Sequence, residues 1–235
     1  MKKLFILALM ALTMAPVMAD EEKGGSDSNI VLHTSGNGNW TMHFALGVNV
    51  PVSVDDGYKF APFRSFDINW TMAQYEYNPK GTTQTYCAGI GLGWHNYTLK
   101  DNGSLLVLDR PTSIVGLSDF DTAFGPGTSS RWSSVKILSL TVPLQFNQKI
   151  SKHFSVTLGA NVNFNISGRM KTEYEKEDND VSISTKGLEY RPVTVDFMAI
   201  FRIYGVGIYG KFSPMTPIKK DYGPQFKSLS FGLYF

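Results

Sequence analysis

The chain has 235 residues, with 22 basic and 20 acidic side chains and a formal net charge of +2, which gives no electrostatic reason to expect nucleic acid as a partner. Its one cysteine, Cys87, excludes an internal disulfide. Beyond residue 19 no apolar run approaches the roughly 20 residues that a membrane helix needs, which excludes a helical span but not membrane-spanning strands.

The first 19 residues have the pattern of a secretory signal peptide. Lys2 and Lys3 precede an apolar run, and Val17-Met18-Ala19 ends on a residue that a signal peptidase accepts. Cleavage before Asp20 would send the mature chain out of the cytoplasm. Residues 20–39 are rich in Gly, Asp, Ser and Asn, so we expect a flexible periplasmic segment there.

Eight segments then alternate between apolar and small or polar residues, with the period of two that is typical of a β-strand. Most of them reach the roughly 9–11 residues that a tilted strand needs to cross a bilayer, whereas the mean strand in soluble proteins has about 5–6. That length favours membrane-spanning strands. The predicted strands are residues 40–50, 64–77, 83–99, 134–147, 153–166, 190–203, 206–213 and 227–235.

Short and long connections alternate between these strands. The links near 78–81, 148–152 and 204–205 are short, whereas 51–63, 100–133, 167–189 and 214–226 are long. An even number of strands with short turns on one side and long loops on the other is the arrangement of bacterial outer-membrane barrels. Both chain ends then fall on the periplasmic side. A two-residue turn at 204–205 would pair Ile203 with Val206 and Met198 with Lys211.

The face that alternates with the apolar one holds mainly Gly, Ser, Thr, Asn and Ala, and few charges. A face turned to water would carry charges, whereas small polar residues suit the narrow interior of an eight-stranded barrel. We therefore predict an all-β fold over residues 40–235, a closed antiparallel eight-stranded transmembrane β-barrel with its apolar face in lipid. An aromatic girdle is expected at the periplasmic rim, formed by Trp40, Tyr86, Phe146, Phe154, Phe201 and Phe235.

Two segments resemble known outer-membrane barrels. The terminal SLSFGLYF, which ends on Phe235, resembles the C-terminal strand that such barrels present to the assembly machinery. The segment LSLTVPLQFNQKISKHFSVTLGANVNF is similar to the central hairpin of the small eight-stranded outer-membrane barrel family that includes the PorT-like proteins. Its Pro-Leu matches Pro143-Leu144, and a proline in a closed barrel implies a bulge. The resemblance covers residues 40–235 and implies an architecture, not a shared chemistry.

Four charged residues have the parity of the barrel interior. We expect them to form an ion-pair and hydrogen-bond network that satisfies buried charge, with a proton or substrate path as the alternative. Since eight strands leave no open aqueous channel, a conducting pore is the weaker hypothesis. The four residues are Asp67, Asp196, Arg202 and Lys211.

No motif predicts catalysis, a metal site or a cofactor. His43 and His95 have interior parity but lie at opposite ends of the predicted barrel, and no metal-ligand spacing or nucleophile motif occurs. We predict no catalytic, metal-binding or cofactor-binding residue. An enzyme with His95 and loop carboxylates at the outer rim remains the alternative.

The leading functional hypothesis is a non-enzymatic outer-membrane barrel. Its loops at 100–133 and 167–189 would contact a protein partner or shield the surface, since loops on a rigid scaffold carry function. The first of these loops is apolar enough to fold over the barrel mouth, and the second could extend its flanking strands as a hairpin. Expected partners are outer-membrane lipid, the assembly machinery through the C-terminal strand, and a protein at the outer loops. The alternative in line with the resemblance is an accessory component of a secretion or envelope-assembly machine.

Overall fold

The computed structural model describes residues 32–33, 38–56, 58–100, 105–109, 113–117, 128–177 and 179–235. The predicted signal peptide lies outside these residues. Within them, no helix is long and apolar enough to cross a membrane.

The described part of the chain forms twelve strands and one 3-10 helix, and its secondary structure is otherwise turns and loops. The helix is Pro62–Arg64. The strands are β1 (Leu32–His33), β2 (Gly38–Val52), β3 (Phe66–Tyr77), β4 (Gln84–Lys100), β5 (Leu105–Asp109), β6 (Ser113–Leu117), β7 (Thr128–Ser151), β8 (Phe154–Lys176), β9 (Asn179–Lys186), β10 (Val193–Ile203), β11 (Val206–Ser213) and β12 (Lys227–Tyr234).

Eight of these strands close into a barrel. Their order is β2, β12, β11, β10, β8, β7, β4, β3 and back to β2, and each neighbouring pair is antiparallel. The last residue seals the ring beside β2, because Phe235 N donates to Phe44 O at 2.8 Å and Phe44 N donates to Phe235 O at 3.0 Å. The predicted closed antiparallel eight-stranded barrel is confirmed, and each predicted strand coincides with one strand of the ring.

The strands are strongly tilted. A path that starts at Gly207 on β11 and follows paired residues once around the ring returns to the same segment of chain near Pro217. The strands are therefore staggered by about ten residues. Such a stagger requires a strand tilt of the order of 35–45°. A barrel of eight such strands has an interior just wide enough for side chains. The geometry of the ring therefore favours a filled interior.

The turn between β10 and β11 sets the register of that hairpin. Tyr204 and Gly205 have φ of 52° and 83°, and positive φ at both central residues is what a two-residue type I′ turn requires. The register pairs Ile203 with Val206, as predicted.

Burial in the barrel is the reverse of that in a soluble protein. Outward side chains such as Leu158, Ile208 and Phe231 are 56%, 64% and 53% exposed, whereas the interior holds Asp67 at 0% and Lys211 at 2%. The predicted orientation, apolar side chains outside and polar ones inside, is the one observed. We call the outward apolar side chains of the ring the apolar band, and the two ends of the barrel the short-turn end and the long-loop end.

Bulges on β3 and β8 change which side chains face inward. Met72 has no partner on β4 because the register shifts between Thr71 and Ala73, and the shift turns Gln74, 1% exposed, into the interior. On β8 the register shifts at Ile166, with the same effect on the residues beyond it. The predicted bulge at Pro143 is wrong: Pro143 pairs with Asn161 without a register shift.

Three strands extend beyond the apolar band at the long-loop end. β7 and β8 have 24 and 23 residues, about twice the length that crosses a bilayer, and β9 pairs with the outer half of β8 from Arg169↔Lys186 to Lys176↔Asn179. We call β9 and these outer parts of β7 and β8 the projecting sheet. The predicted hairpin in 167–189 is therefore built by β8 and β9, while β10 begins only at Val193.

Two smaller features complete the fold. β5 and β6 form a separate antiparallel hairpin within the predicted loop 100–133. β1 pairs with the first residues of β2, so it lies within the segment predicted to be a flexible lead-in.

Candidate functional site

The centre of the barrel is built around Asp67. Asp67 Oδ1 accepts from Lys211 Nζ at 2.7 Å and from His95 Nδ1 at 2.6 Å. Its other oxygen, Oδ2, accepts from Tyr209 Oη at 2.9 Å and from Asn69 Nδ2 at 3.0 Å. Four donors from three strands thus surround one fully buried carboxylate. We call these five residues, with Asp196, the central cluster.

Asp196 joins this cluster from the opposite wall. Its Oδ2 lies 3.6 Å from Lys211 Nζ and accepts from Asn163 Nδ2 at 2.7 Å. Asn163 Oδ1 in turn accepts from Thr141 Oγ1 at 2.9 Å. Two carboxylates therefore share one ammonium group, and hydrogen bonds continue the cluster onto β8 and β7. Since a buried charge is tolerated only when it is paired and hydrogen-bonded, this arrangement lets the barrel hold two carboxylates and one ammonium group inside.

Arg202 does not belong to the central cluster, although the sequence grouped it with Asp67, Asp196 and Lys211. It lies near the short-turn end, where its guanidinium is 4.8 Å from the ring centroid of Tyr234 and Nη2 is 3.4 Å from His43 Nδ1. Arg202 lies apart from the central cluster because it is one residue before the end of β10, six residues closer to the short-turn end than Asp196 on the same strand. The predicted network is therefore two clusters.

The second cluster centres on Glu76. Its Oε1 accepts from Thr41 Oγ1 at 2.9 Å and from Gln74 Nε2 at 3.2 Å, and it lies 3.3 Å from His43 Nε2. With Arg202 these groups form the basal cluster. His43 and His95 therefore belong to different clusters, at different depths of the barrel, in agreement with their predicted separation.

The sequence analysis missed Tyr209 and Glu76 for different reasons. Tyr209 alternates with Ile208 on β11, so parity alone places it inside, and it could have been found. Glu76 could not, because strict alternation from Phe66 puts it on the lipid face. Glu76 faces inward only because of the bulge at Met72, and a methionine at that position does not predict a bulge.

An apolar core closes the long-loop end of the barrel. Phe226 lies at its centre, with its ring 4.9 Å from those of Phe60 and Tyr97. Three loops, at 53–65, 187–192 and 214–226, supply this cover in the part of the chain that the structure describes. The side chains of the loop that was predicted to cover the mouth, 100–133, lie outside the described residues as far as residue 131. The buried members of the core are Tyr97, Leu99, Val135, Ile137, Met170, Leu188, Ile218 and Phe226.

A surface ion pair ties two of the covering loops together. Lys219 Nζ donates to Glu189 Oε2 at 2.6 Å, and this hydrogen bond raises the pKa of Lys219 above its usual value. Both side chains are solvent-exposed, so the pair contributes little to stability.

All six predicted girdle residues lie at the short-turn end. Trp40 packs on Tyr75 and Tyr86 on Phe146, each with ring centroids 5.4 Å apart. At the other edge of the apolar band, Phe66 and Trp94 meet edge to face at 5.8 Å. The remaining predicted girdle residues are the half-buried Phe154 and the exposed Phe201 and Phe235.

Among the described residues, no three His, Cys, Asp or Glu side chains are placed to hold a metal ion. Cys87 is a buried free thiol of the interior.

Comparison with known proteins gives only structural likenesses. No family model matches the chain, and no curated protein matches it. Among solved structures, it is similar to a crystal structure of Ail, the attachment invasion locus protein of Yersinia pestis, with 14% identity and a TM-score of 0.35 over 85% of this chain and 100% of that one. A second structure of Ail, in complex with the heparin analogue sucrose octasulfate, gives 12% identity with the same TM-score and coverage. The fold assignment rests on the closed ring of strands itself.

Proposed function

We propose that this chain is a non-enzymatic barrel of the bacterial outer membrane that holds the projecting sheet outside the cell to contact a protein partner. The observation that carries the proposal is the apolar band. Large side chains exposed on all sides of the ring form an apolar surface far larger than a soluble monomer tolerates. Lipid would satisfy this surface, and the closed ring leaves no strand edge unpaired within it.

The alternation of connections supports one orientation. Short turns lie at 78–83, 152–153 and 204–205, and both ends of the barrel domain lie at the same end. In outer-membrane barrels the short turns face the periplasm and the longer loops face outward. The projecting sheet would then be extracellular. The C-terminal strand, with Phe235 sealed against Phe44, would be the segment that the assembly machinery binds.

The projecting sheet supports a contact with protein. β9 pairs with β8, and no second strand pairs with it among the described residues. Its eight residues are exposed or half-exposed. A strand with a free edge can accept an extended segment of another protein through main-chain hydrogen bonds.

The barrel interior supports a structural role. The acidic and basic groups of the central cluster engage one another, and the apolar core covers them at the long-loop end. Neither an exposed nucleophile beside a base nor an unsatisfied cluster of carboxylates, the features on which hydrolytic chemistry depends, occurs among these groups.

A trimmed variant tests the proposal. Replacing residues 171–184 by a short turn removes the outer part of β8 and most of β9, and it leaves the pair Met170–Thr185 to close the hairpin. In cells, a photo-crosslinker at Ser182 in the full-length chain should give a defined protein adduct that the same crosslinker at Lys80, in the β3–β4 turn, does not give. The trimmed barrel should still reach the membrane and should lose the biological effect of that contact.

Other outcomes would contradict the proposal. Recovery of the processed chain in the soluble fraction would refute the membrane location. A trimmed barrel that reaches the membrane and keeps every phenotype of the wild type would refute the role of the sheet. An adduct at Lys80 only would point instead to a periplasmic partner, as expected for an accessory component of a secretion or envelope-assembly machine.

A further inference from the structure

A cavity opens on the outer wall of the barrel, between the helix Pro62–Arg64 and the strands β4, β7 and β8. Its volume is about 170 Å³, room for five or so water molecules at roughly 30 Å³ each. This is enough for one phosphate group with part of its hydration. The residues that matter for its chemistry are Arg64, Trp132, Lys136, Lys171 and Glu173.

The cavity lies at the upper edge of the apolar band. On β7, Leu138 is the last exposed apolar residue of the band, and Lys136 follows it on the same face. On β8, the bulged residue Ile166 is 55% exposed. Lys171 follows it toward the long-loop end and lies on the outer face. The cations therefore begin where the lipid-facing side chains end, which is the level of lipid headgroups.

The cavity carries an excess of positive charge. Lys171 is paired with Glu173. Among the described residues, neither Arg64 nor Lys136 has a carboxylate within ion-pairing distance. Arg64, Lys136 and Lys171 thus face one small cavity with Glu173 as the single carboxylate in its lining, which leaves a net excess of two positive charges.

Arg64 is held in place before any ligand binds. Its guanidinium lies 4.3 Å from the ring centroid of Trp132. Its carbonyl oxygen accepts from Asn96 Nδ2 at 3.0 Å and from Thr98 Oγ1 at 2.9 Å, and the next residue, Ser65, accepts from Thr98 N at 2.9 Å. The loop is therefore fastened to β4, and little ordering is required when an anion binds.

Phe63 supports a membrane surface as the surroundings of this cavity. It precedes Arg64 in the short helix and is 96% exposed. In water an exposed aromatic side chain gains no free energy from burial, whereas aromatic side chains favour the interface between headgroups and acyl chains. A basic cavity beside an exposed aromatic residue, above an apolar wall, matches the headgroup and upper acyl region of one lipid molecule.

We infer that this cavity binds the phosphate of a lipid headgroup in the leaflet at the long-loop end, with Arg64 and Lys136 as its ligands. The inference rests on the proposed membrane location and is independent of the projecting sheet's partner. Arg64 offers a planar fork of donors and Lys136 a compact charge, the pair of side chains that recognises phosphate.

The test uses the full-length barrel in nanodiscs of phosphatidylcholine that contain a small fraction of a diphosphorylated lipid A, or its dephosphorylated counterpart. Native mass spectrometry after release from the nanodisc counts retained lipid. The variant Arg64→Gln/Lys136→Gln removes the two ligands. The variant Lys80→Gln/Lys149→Gln removes two exposed cations near the short-turn end and is the matched control for net charge.

We expect the wild type and the control to retain the phosphorylated lipid, and Arg64→Gln/Lys136→Gln to bind it about tenfold or more weakly. The dephosphorylated lipid should not be retained. Equal retention by all three proteins would overturn the inference. If the detergent-solubilised wild type bound inorganic phosphate as tightly as the phosphorylated lipid, the cavity would be a site for free phosphate, and the inference of a lipid ligand would be wrong. Failure of the chain to enter nanodiscs would instead refute the membrane location.

Discussion

Lys211 and Asp67 form an ion pair across the interior of the barrel, with Lys211 Nζ 2.7 Å from Asp67 Oδ1. Lys211 lies on β11 and Asp67 on β3, and in the ring these strands are separated by β12 and β2. The pair thus links walls that share no backbone hydrogen bond. Because both groups are buried, removing Lys211 leaves Asp67 and Asp196 without their shared cation, and removing Asp67 leaves Lys211 with Asp196 alone as a counter-charge.

Substitution of Lys211 by Met should destabilise the barrel by about 3–5 kcal/mol, since Asp67 and Asp196 would lose their shared cation. Adding Asp67→Asn should cost less than the sum of the two single changes. Urea unfolding in lipid vesicles, followed by tryptophan fluorescence, measures both effects. Lys219→Met, which breaks the exposed pair with Glu189, should leave the unfolding curve unchanged. Additive losses in the double variant would show that the pair is not coupled.

Tyr209→Phe removes one hydrogen bond to a charged acceptor, because Tyr209 Oη donates to Asp67 Oδ2. We expect a loss of about 1.5–3 kcal/mol in the free energy of unfolding. Tyr204→Phe, in the exposed turn, should change it by less than about 0.5 kcal/mol. The same urea titration compares them, and equal effects would contradict the assignment of Tyr209 to the central cluster.

Two arginine substitutions distinguish lipid from water at exposed apolar positions. Phe231 lies in the apolar band opposite Gly210 and Val48, and Phe231→Arg should cost about 2–4 kcal/mol. Ile183 is also exposed and apolar but lies on β9 in the projecting sheet, so Ile183→Arg should be nearly neutral. Folding yield into vesicles and urea unfolding report both. Equal tolerance of the two changes would mean that the band does not face lipid.

Deletion of Phe235 should reduce assembly in cells more than stability in vitro. The deletion removes the two backbone hydrogen bonds with Phe44 and the terminal side chain that the assembly machinery would bind. We expect a lower folded fraction in isolated outer membranes, with near-normal refolding of the purified chain in detergent. A parallel loss in both measurements would assign Phe235 a purely structural role.

The closed barrel should give no steady single-channel current in planar bilayers. The central cluster spans the interior from β3 to β11 and β10, and the apolar core covers the long-loop end. Steady, voltage-independent current through the wild type, abolished when Lys211 is replaced by a larger side chain, would contradict a filled interior.

The ring could be predicted because its cause is visible in the sequence. Alternation between an apolar outer face and a small, polar inner face indicates both the strands and their register, as in the hairpin that pairs Ile203 with Val206. The interior partners Asp67, Asp196 and Lys211 follow from parity alone.

The features that the sequence did not predict correctly are the bulges and the loop cover. A bulge adds one residue without changing composition, so Met72 and Ile166 continue the apolar pattern while they reverse the inside and outside faces beyond them. Pro143 produces no bulge: it pairs with Asn161 on β8, and the pairing of β7 with β4 is interrupted at residues 142–143 without a register shift. The loop cover depends on long-range contacts of Phe226, which no local pattern encodes.

The placement of the two barrel ends is tested most directly by labelling intact cells with a membrane-impermeant maleimide. In a Cys87→Ser background, Ser182→Cys on β9 and Lys80→Cys in the β3–β4 turn place one exposed thiol at each end of the barrel. We predict that Ser182→Cys is labelled in intact cells, and Lys80→Cys only after the outer membrane is permeabilised. Labelling of Lys80→Cys alone in intact cells, or of neither thiol until the inner membrane is also opened, would contradict this account.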